Sequence, residues 1–441
     1  MMNNKFFKFS LIFLFIVLIL ILILGSFLYG TKVGVLRQSP YFDKVIYIYH
    51  FSNNFKKNLI KIIDKKNNQK VSKIDELKLD KKNPLVDNLL GIQTGKIPND
   101  FIITSTLSVI ENEKVNHYLL FLSNNKILHK IDLIEYKYKK VIDDIKWPHG
   151  LIIKNNNIYY NFDNGNSLMK IDLCGNKIWE IEGQFHHLMS INEDYIWALK
   201  KDEKGDYDTA DTFLKIDTKS AKILQSFNTV DLINANLPYD YFSIKQRDLS
   251  TIWDYEPFHY NDVDVLTKEF SNYFSKFSVG DLLISSRSLN SVFVINPENL
   301  KVKKFLFGLT RRQHDPDWNK GYITIYDNQT EWGLDSKGSE IRPYESRILK
   351  INNLDEDKKS EIKFNSSFVA DARGNHHILD LGLDGIYSLI ISPYQGKLLL
   401  YKDGKEIYTL TNIINSSVLS VSNGKILNKE KFLDKIETCQ K

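Results

Sequence analysis

The sequence predicts an all-β fold: a six-bladed β-propeller preceded by one N-terminal transmembrane helix and a short stalk. Three observations carry that expectation. A strand phrase recurs at blade-like intervals, histidines keep step with it, and an uncharged apolar run lies near the start of the chain.

The apolar run extends from Phe9 to Gly30, follows Lys5 and Lys8, and is long enough to cross a bilayer as a helix. It outlasts the apolar core of a cleaved leader and leaves through Phe27, Leu28 and Tyr29 with no small-residue cleavage pattern, so it reads as an uncleaved signal anchor. Lys32 and Arg37 balance the lysines before it, and orientation rests on translocation of the large C-terminal part. The expected arrangement places residues 1–8 in the cytoplasm, 9–30 in the inner (plasma) membrane, and the remainder on the periplasmic or extracytoplasmic side. Residues 31–95, rich in Lys, Asn and Asp with an amphipathic patch at NLIKIIDKK, read as a membrane-proximal stalk, and residues 96–441 as the propeller domain.

Within that domain an apolar strand, a turn and a second strand ending in a Lys-Ile-Asp-like triplet recur. The copies are ILHKID (127–132), LMKID (168–172), FLKID (213–217), VFVIN (292–296), RILKIN (347–352) and LLLYKD (398–403). Their ends are 40, 45, 79, 56 and 51 residues apart, the spacing of four-stranded propeller blades. The long interval contains residues 228–258, which lack strand alternation and read as an insertion, leaving six blades. In the fullest copy, NNIYYNFDNGNSLMKIDLCGNKIWEIEG, Trp179 reads as packing between blades.

Composition removes some partners. The net charge of +5 comes from interspersed lysines and acids with no dense basic block, which argues against nucleic acid. Cys174 and Cys439 are far apart, and spacing alone gives no ground for pairing them. The oligomeric state is not readable.

His149 (WPHG), His187 (QFHHL), His259 (FHYNDVDVL), His314 (RRQHDPDW) and His377 (GNHHIL) each fall in a different interval, near the start of a blade's first strand. First strands line a propeller's channel, so five imidazoles converge on one axial site. Arg287, Arg312 and Arg347 fall near strand or turn boundaries, and guanidinium suits a tetrahedral oxyanion because its N–H donors are fixed and its charge permanent. A ring of His and Arg fits a sulfate or phosphate group. A zinc or manganese site around His314 and Asp315 is the competing reading; no compact ligand pair supports it, and the arginines oppose a cation. No cofactor is expected.

These residues resemble those of the bacterial arylsulfate sulfotransferases over about residues 147–400. FHYNDVDVLTKEF with GDLLISSRSLNSVFVIN resembles the family's His-x-Asn segment and ISSR strand; QHDPDWNKGYITIYDN its Gln-His segment with a downstream F/Y-D-N; YESRILKIN its Ser-Arg strand; GNHHILDLG its G-x-x-H-x-x-D-x-G turn. The resemblance implies a divergent, membrane-anchored member that moves a sulfuryl group from a phenolic sulfate donor to a hydroxyl acceptor without the nucleotide PAPS. It makes His377 the nucleophile and His259, His314 and Arg347 the groups that hold the sulfate. From their positions in the repeat, Arg287, Arg312, His187, His149 and Asn261 are expected as further substrate-binding residues. The family's usual N-terminal β-domain and cysteine pair are not evident here. The alternative function is a non-catalytic anchored propeller that binds an anionic glycan or a protein partner.

Overall fold

The computed structural model describes residues 91–439, except 112–113, 135–146, 164, 202–210, 240–257, 330–332, 335–339, 342–344, 371, 415–416 and 419–420. The expected membrane span at 9–30 and nearly all of the stalk lie outside the described residues. Among the described residues no helix is long and apolar enough to cross a membrane.

Six antiparallel sheets form the blades, each with an inner strand at the channel. These strands are Trp147–Lys154, Phe185–Asn192, Tyr260–Val265, His314–Trp318, Asn375–Asp380 and Val421–Asn428, for blades one to six. Each neighbours the next, and the sixth returns to the first, so the ring is closed. Closure joins distant parts of the chain: Val421–Asn428 pairs with Phe101–Glu111, adding a C-terminal inner strand to three strands from the N-terminal side. Ile92–Gly95 adds a fifth strand to blade five, so the propeller begins before the boundary near residue 96 that the stalk composition suggests.

Strand alternation explains why the ring holds. Successive side chains leave opposite faces of a sheet, and in a propeller both faces meet a neighbouring blade. In blade six, Ile102, Leu119 and Phe121 pack toward blade one, while Ile103, Leu120 and Leu122 pack toward blade five. One buried apolar cluster fills each of the six interfaces. Trp179 takes its expected place, donating its indole N–H to the Thr218 carbonyl of the next blade at 3.0 Å.

Five of the six recurring phrases fall on third strands; ILHKID instead lies on the outermost strand of blade six, Lys126–Asp132. Among the described residues the long interval holds no seventh blade, and residues 240–257 of the expected insertion lie outside the described residues. After Asn228 the chain enters a helix, Thr229–Asn236, whose first turn is closed by reciprocal bonds between Asn228 and Asp231.

Cys174 and Cys439 form a disulfide, correcting the sequence expectation. Cys174 lies in the turn between the last two strands of blade one and Cys439 ends the C-terminal helix Lys429–Cys439. Ile436 of that helix is buried against blades six and one, which brings the cysteines to a Cα separation of 5.0 Å across 265 residues of sequence. The bridge thus locks the closing strand to blade one. Replacing both cysteines by alanine is expected to cost about 2–4 kcal/mol, lowering the thermal midpoint by roughly 5–10 °C. An unchanged midpoint in the double variant would mean that the bridge does not secure closure.

Candidate functional site

Bulges in the inner strands build the site. In blade one, His149 and Gly150 together oppose Asn161; in blade two, His187 to Met189 oppose Ala198. Asn261 is the extra residue in blade three, Asp315 and Pro316 share one partner in blade four, and Ser422 and Asn423 do so in blade six. A bulge breaks the two-residue alternation and turns side chains that would enter the blade interfaces toward the channel. Four polar residues here adopt left-handed backbone: His187 (φ 56°), His259 (φ 43°), Asp315 (φ 51°) and Arg373 (φ 61°). Such conformations cost on the order of 1–3 kcal/mol each and persist only where surrounding contacts fix them.

The first tier, near the starts of the inner strands, is a chain of imidazoles. The ring centroids of His149 and His187 are 5.0 Å apart, and those of His187 and His259 are 5.1 Å apart. His149 donates Nδ1–H to Asp163 at 2.7 Å, and Asp163 also accepts the backbone N–H of His187 and lies 3.2 Å from the Arg373 guanidinium. Burial alone would push the Asp163 carboxyl up, but the charges of His149, His187 and Arg373 hold it well below the usual range. Behind His187 stands His186, with the two Nδ1 atoms 2.7 Å apart and Asp211 at 3.1 Å from His186 Nε2. Arg287 Nη1 lies 3.4 Å from His259 Nε2.

His314 completes this tier. Its Nδ1–H donates to Asn328 Oδ1 at 2.8 Å, which leaves the lone pair on Nε2, where it accepts the Arg373 backbone N–H at 3.2 Å. Burial, reinforced by the Arg287 charge, drives its pKa well below the ordinary histidine value, so the ring is neutral.

The neighbouring motifs hold these rings in place. Gln313 is buried; its amide donates to Ser285 Oγ and to the Ser286 and Ser291 carbonyls, tying blade four to the two blade-three strands that flank Arg287. Asn261 donates to the Gln313 carbonyl at 2.7 Å. In the Tyr326-Asp327-Asn328 run, Tyr326 packs against Gly374, where a Cβ would meet the ring at 2.5 Å; Asp327 pairs with Arg347; and Asn328 orients His314.

A second tier lies further along the strands and surrounds an axial cavity of about 260 Å³, to which all six inner strands contribute. Leu151, Ile152, Leu188 and Met189 form an apolar side, while Asp262, Asp264, Asp315, Asp317, His377 and Lys425 supply the polar lining. Asp315 accepts from His376 Nδ1 at 2.7 Å and from Asn375 at 3.0 Å. Burial opposes a charged His376, but Asp315 and Asp317 raise its pKa above the usual value. Burial, with mutual repulsion among the acids, pushes Asp317 up to about 6 and Asp262 and Asp264 well above their normal range. Among the described residues, two groups bring potential metal-ligating atoms within 4.8 Å of one another: His149 with Asp163 and His187, and Asp315 with Asp317 and His376. In both, an imidazole Nδ1 is already bonded to the carboxylate.

A family model described as arylsulfotransferase (ASST) matches residues 149–401, more than half of the chain. The chain belongs to the arylsulfotransferase family. The match runs from the first-tier His149 to the third strand of blade five. At the family level, arylsulfotransferases carry sulfuryl groups from aryl sulfates to phenols. No curated protein matches the sequence. Similar solved structures include a protein of unknown function from Bacteroides caccae (12% identity, 74% of this chain and 99% of that one, TM-score 0.42) and BamB from Moraxella catarrhalis (10% identity, 75% and 97%, TM-score 0.34). Likenesses this distant carry no argument about the arylsulfotransferase site.

The structure gathers five of the sequence-selected residues, His149, His187, His259, His314 and Arg287, into the first tier. Asn261 lies at its edge as a stitch between blades. Arg347 stands behind the tier, its Nε on Asp327 at 2.9 Å and its Nη2 on the Leu309 carbonyl at 3.4 Å. Arg312 is placed by its backbone N–H on Asn290, and among the described residues its guanidinium makes no hydrogen bond or ion pair.

His377 belongs to the second tier. The Asn375 side chain meets Asp315, one residue beyond His314, so His377 stands two residues deeper still, a descent of roughly 7–10 Å in all. Its Nδ1 accepts the Ile426 N–H at 3.1 Å. The single cup expected from the sequence is therefore two tiers, because blade five carries its histidines later along the inner strand than the other blades do.

Sequence reading overlooked Arg373, Asp163 and His186, and it quoted Gln313 and Asn328 within family-like segments without giving them a role. Arg373 directly precedes the quoted GNHHILDLG segment. Asp163 sits in Phe-Asp-Asn, a second copy of the F/Y-D-N run that holds Asn328, and that repetition could have revealed it.

Burial pushes His377 down to about 3, with the Lys425 charge adding to the effect. Between that value and the ordinary 6.5, the unfolded chain binds a proton that the folded chain refuses, so stability falls as pH drops through this window. The contribution is about 1.4 kcal/mol per pH unit for one such group. Denaturant midpoints measured from pH 7 to pH 5 should decline less steeply in His377→Gln than in the parent chain. Equal slopes would place the acid sensitivity elsewhere.

Proposed function

We propose that the first tier transfers a sulfuryl group from a phenolic sulfate to a hydroxyl acceptor, with His314 as the nucleophile. The observation that carries this reading is the fixed tautomer of His314: Asn328 holds the Nδ1 proton, so the neutral ring keeps its lone pair on Nε2 near the Arg287 charge, and attack on sulfur replaces the bond that Nε2 accepts from the Arg373 backbone N–H. In the first displacement Nε2 attacks sulfur, the sulfur–aryloxy bond breaks, and the donor leaves as a phenolate. In the second, the acceptor oxygen attacks sulfur, the N–S bond breaks and returns the lone pair to Nε2, and the acceptor's hydroxyl proton passes to solvent, which protonates the phenolate released in the first displacement. One site thus serves both substrates in turn without a nucleotide donor.

Arg287, Arg373 and His259 face the sulfuryl oxygens, where fixed positive charge favours the transition state. Arg347 acts as a positioning residue, holding Asp327 next to Asn328. His377, the nucleophile implied by resemblance, is less suited because it stands in the second tier, where the charged Asp315 carboxylate lines the same cavity and repels a sulfate. The disulfide supports export of the domain to an oxidising, extracytoplasmic compartment, with residues 9–30 as its anchor.

The test uses 4-nitrophenyl sulfate with a phenol acceptor. His314→Ala should reduce 4-nitrophenol release at least ~1,000-fold, whereas His377→Gln should retain most of it. A digest of donor-treated protein without acceptor should carry the added sulfuryl mass on the His314 peptide. Full activity in His314→Ala, or the mass on the His377 peptide, would overturn the assignment.

A further inference from the structure

A hydroxyl acceptor must lose its proton as its oxygen attacks sulfur, and His149 is built to receive it. The ring is 1% exposed, and Asp163 stands 2.7 Å from its Nδ1. Nearby positive charge keeps Asp163 a carboxylate, so the proton between the two belongs to the imidazole. Nε2, the other ring nitrogen, is buried and has no hydrogen-bond partner among the described residues. A buried polar atom without a partner is costly in the free protein, and a reaction that uses the atom explains why it is kept.

The backbone that carries this ring is clamped from three blades. The His149 carbonyl accepts from the Asn423 amide of blade six at 2.9 Å, and the Gly150 N–H donates to Asn161 Oδ1 of blade one at 2.9 Å. Asn161 Nδ2 in turn reaches the His187 carbonyl of blade two at 3.1 Å. A Cβ on residue 150 would come within 2.7 Å of that carbonyl, so glycine is what lets blades one and two close here.

Topology sets His149 opposite the nucleophile. In a closed ring of six blades, blade one faces blade four, and His314 belongs to blade four. Displacement at sulfur, like that at phosphorus, runs with the attacking and leaving atoms roughly in line. An oxygen that displaces His314 Nε2 therefore comes from across the channel, on the side of blade one. The rings are close enough for a charge on His149 to oppose protonation of His314.

We propose that His149 is the general base of the second displacement, its Nε2 contacting the acceptor hydroxyl while Asp163 fixes its tautomer; this rests on the transfer reading of the first tier. The acceptor oxygen forms its bond to sulfur, the bond from sulfur to His314 Nε2 breaks and returns its electron pair to that nitrogen, and the hydroxyl proton moves to His149 Nε2. The imidazolium so formed is paired with the Asp163 carboxylate until the proton passes to solvent. The acceptor class follows: a hydroxyl still protonated at neutral pH, such as an unactivated phenol or an alcohol. A proton already on Nε2 would instead make His149 a donor to a sulfuryl oxygen, needed in both displacements.

Rapid mixing of the full-length His149→Gln chain with 4-nitrophenyl sulfate separates the two steps. 4-Nitrophenolate needs no proton to leave, so without acceptor the variant should still give a burst of it and carry the sulfuryl mass on the His314 peptide. With phenol as acceptor, breakdown of that intermediate should slow ~100-fold or more, whereas with pentafluorophenol, which is ionised at neutral pH, it should be nearly unchanged. Equal slowing with both acceptors, no slowing with phenol, or loss of the burst in a variant that keeps the parent's thermal midpoint would each overturn the proposal. Absence of a burst in the parent would overturn the transfer reading as well. Nitrogen-15 NMR of the histidine-labelled parent at mildly alkaline pH gives a test that no variant has to survive: His149 should hold its proton on Nδ1 alone, and a proton on Nε2 would overturn the assignment as base.

Discussion

Pairing of Val421–Asn428 with Phe101–Glu111 is the interaction on which the rest of this structure depends. A blade exposes two apolar faces, and each is buried only when a neighbour stands on both sides. Without the closing strand, blade six would lose its inner edge, and the clusters it shares with blades one and five would open to water. The disulfide between the helix that follows this strand and blade one reinforces the same seam. Closure also fixes the inner strands around one axis, so residues more than two hundred positions apart meet with defined geometry: Asn423 bonds the His149 carbonyl, and Arg373 reaches Asp163.

The channel sorts charge along its length. Imidazoles and guanidinium groups collect near the starts of the inner strands, and carboxylates collect further along. Bulges make this possible by freeing residues such as His149, Asn261 and Asp315 from strict alternation. The left-handed residues are kept in place by dense bonding: the His187 N–H is held by Asp163, the Arg373 N–H by His314, and the Asp315 carboxylate by His376. Local strain is thus offset by contacts that come from other blades.

Much of this was legible in the chain. The Lys-Ile-Asp-like phrases gave the blade number because each records the same third-strand environment, apart from ILHKID, whose outer strand carries a similar pattern. The histidines at 149, 187, 259 and 314 were readable because their offset from the strand start is nearly constant. His377 lies deeper in the channel than those four because its offset differs by a few residues, and spacing to the nearest phrase does not resolve depth in a channel. Arg347 resembled a ligand because its charge is visible in sequence while its partner, Asp327, is fixed only by strand pairing. The disulfide was hidden because no local pattern relates a turn in blade one to a helix at the other end of the chain.

The account's central claim is that closure gathers the first tier into an anion-holding site. A crystal structure of the protein soaked with sulfate, with sulfur located by its anomalous scattering, tests that claim most directly. The account predicts sulfur among His259, His314 and Arg287, with its oxygens within hydrogen-bond reach of the guanidinium group. Sulfate seated instead beside Lys425 and His377, with the histidine tier free of it, would contradict the account.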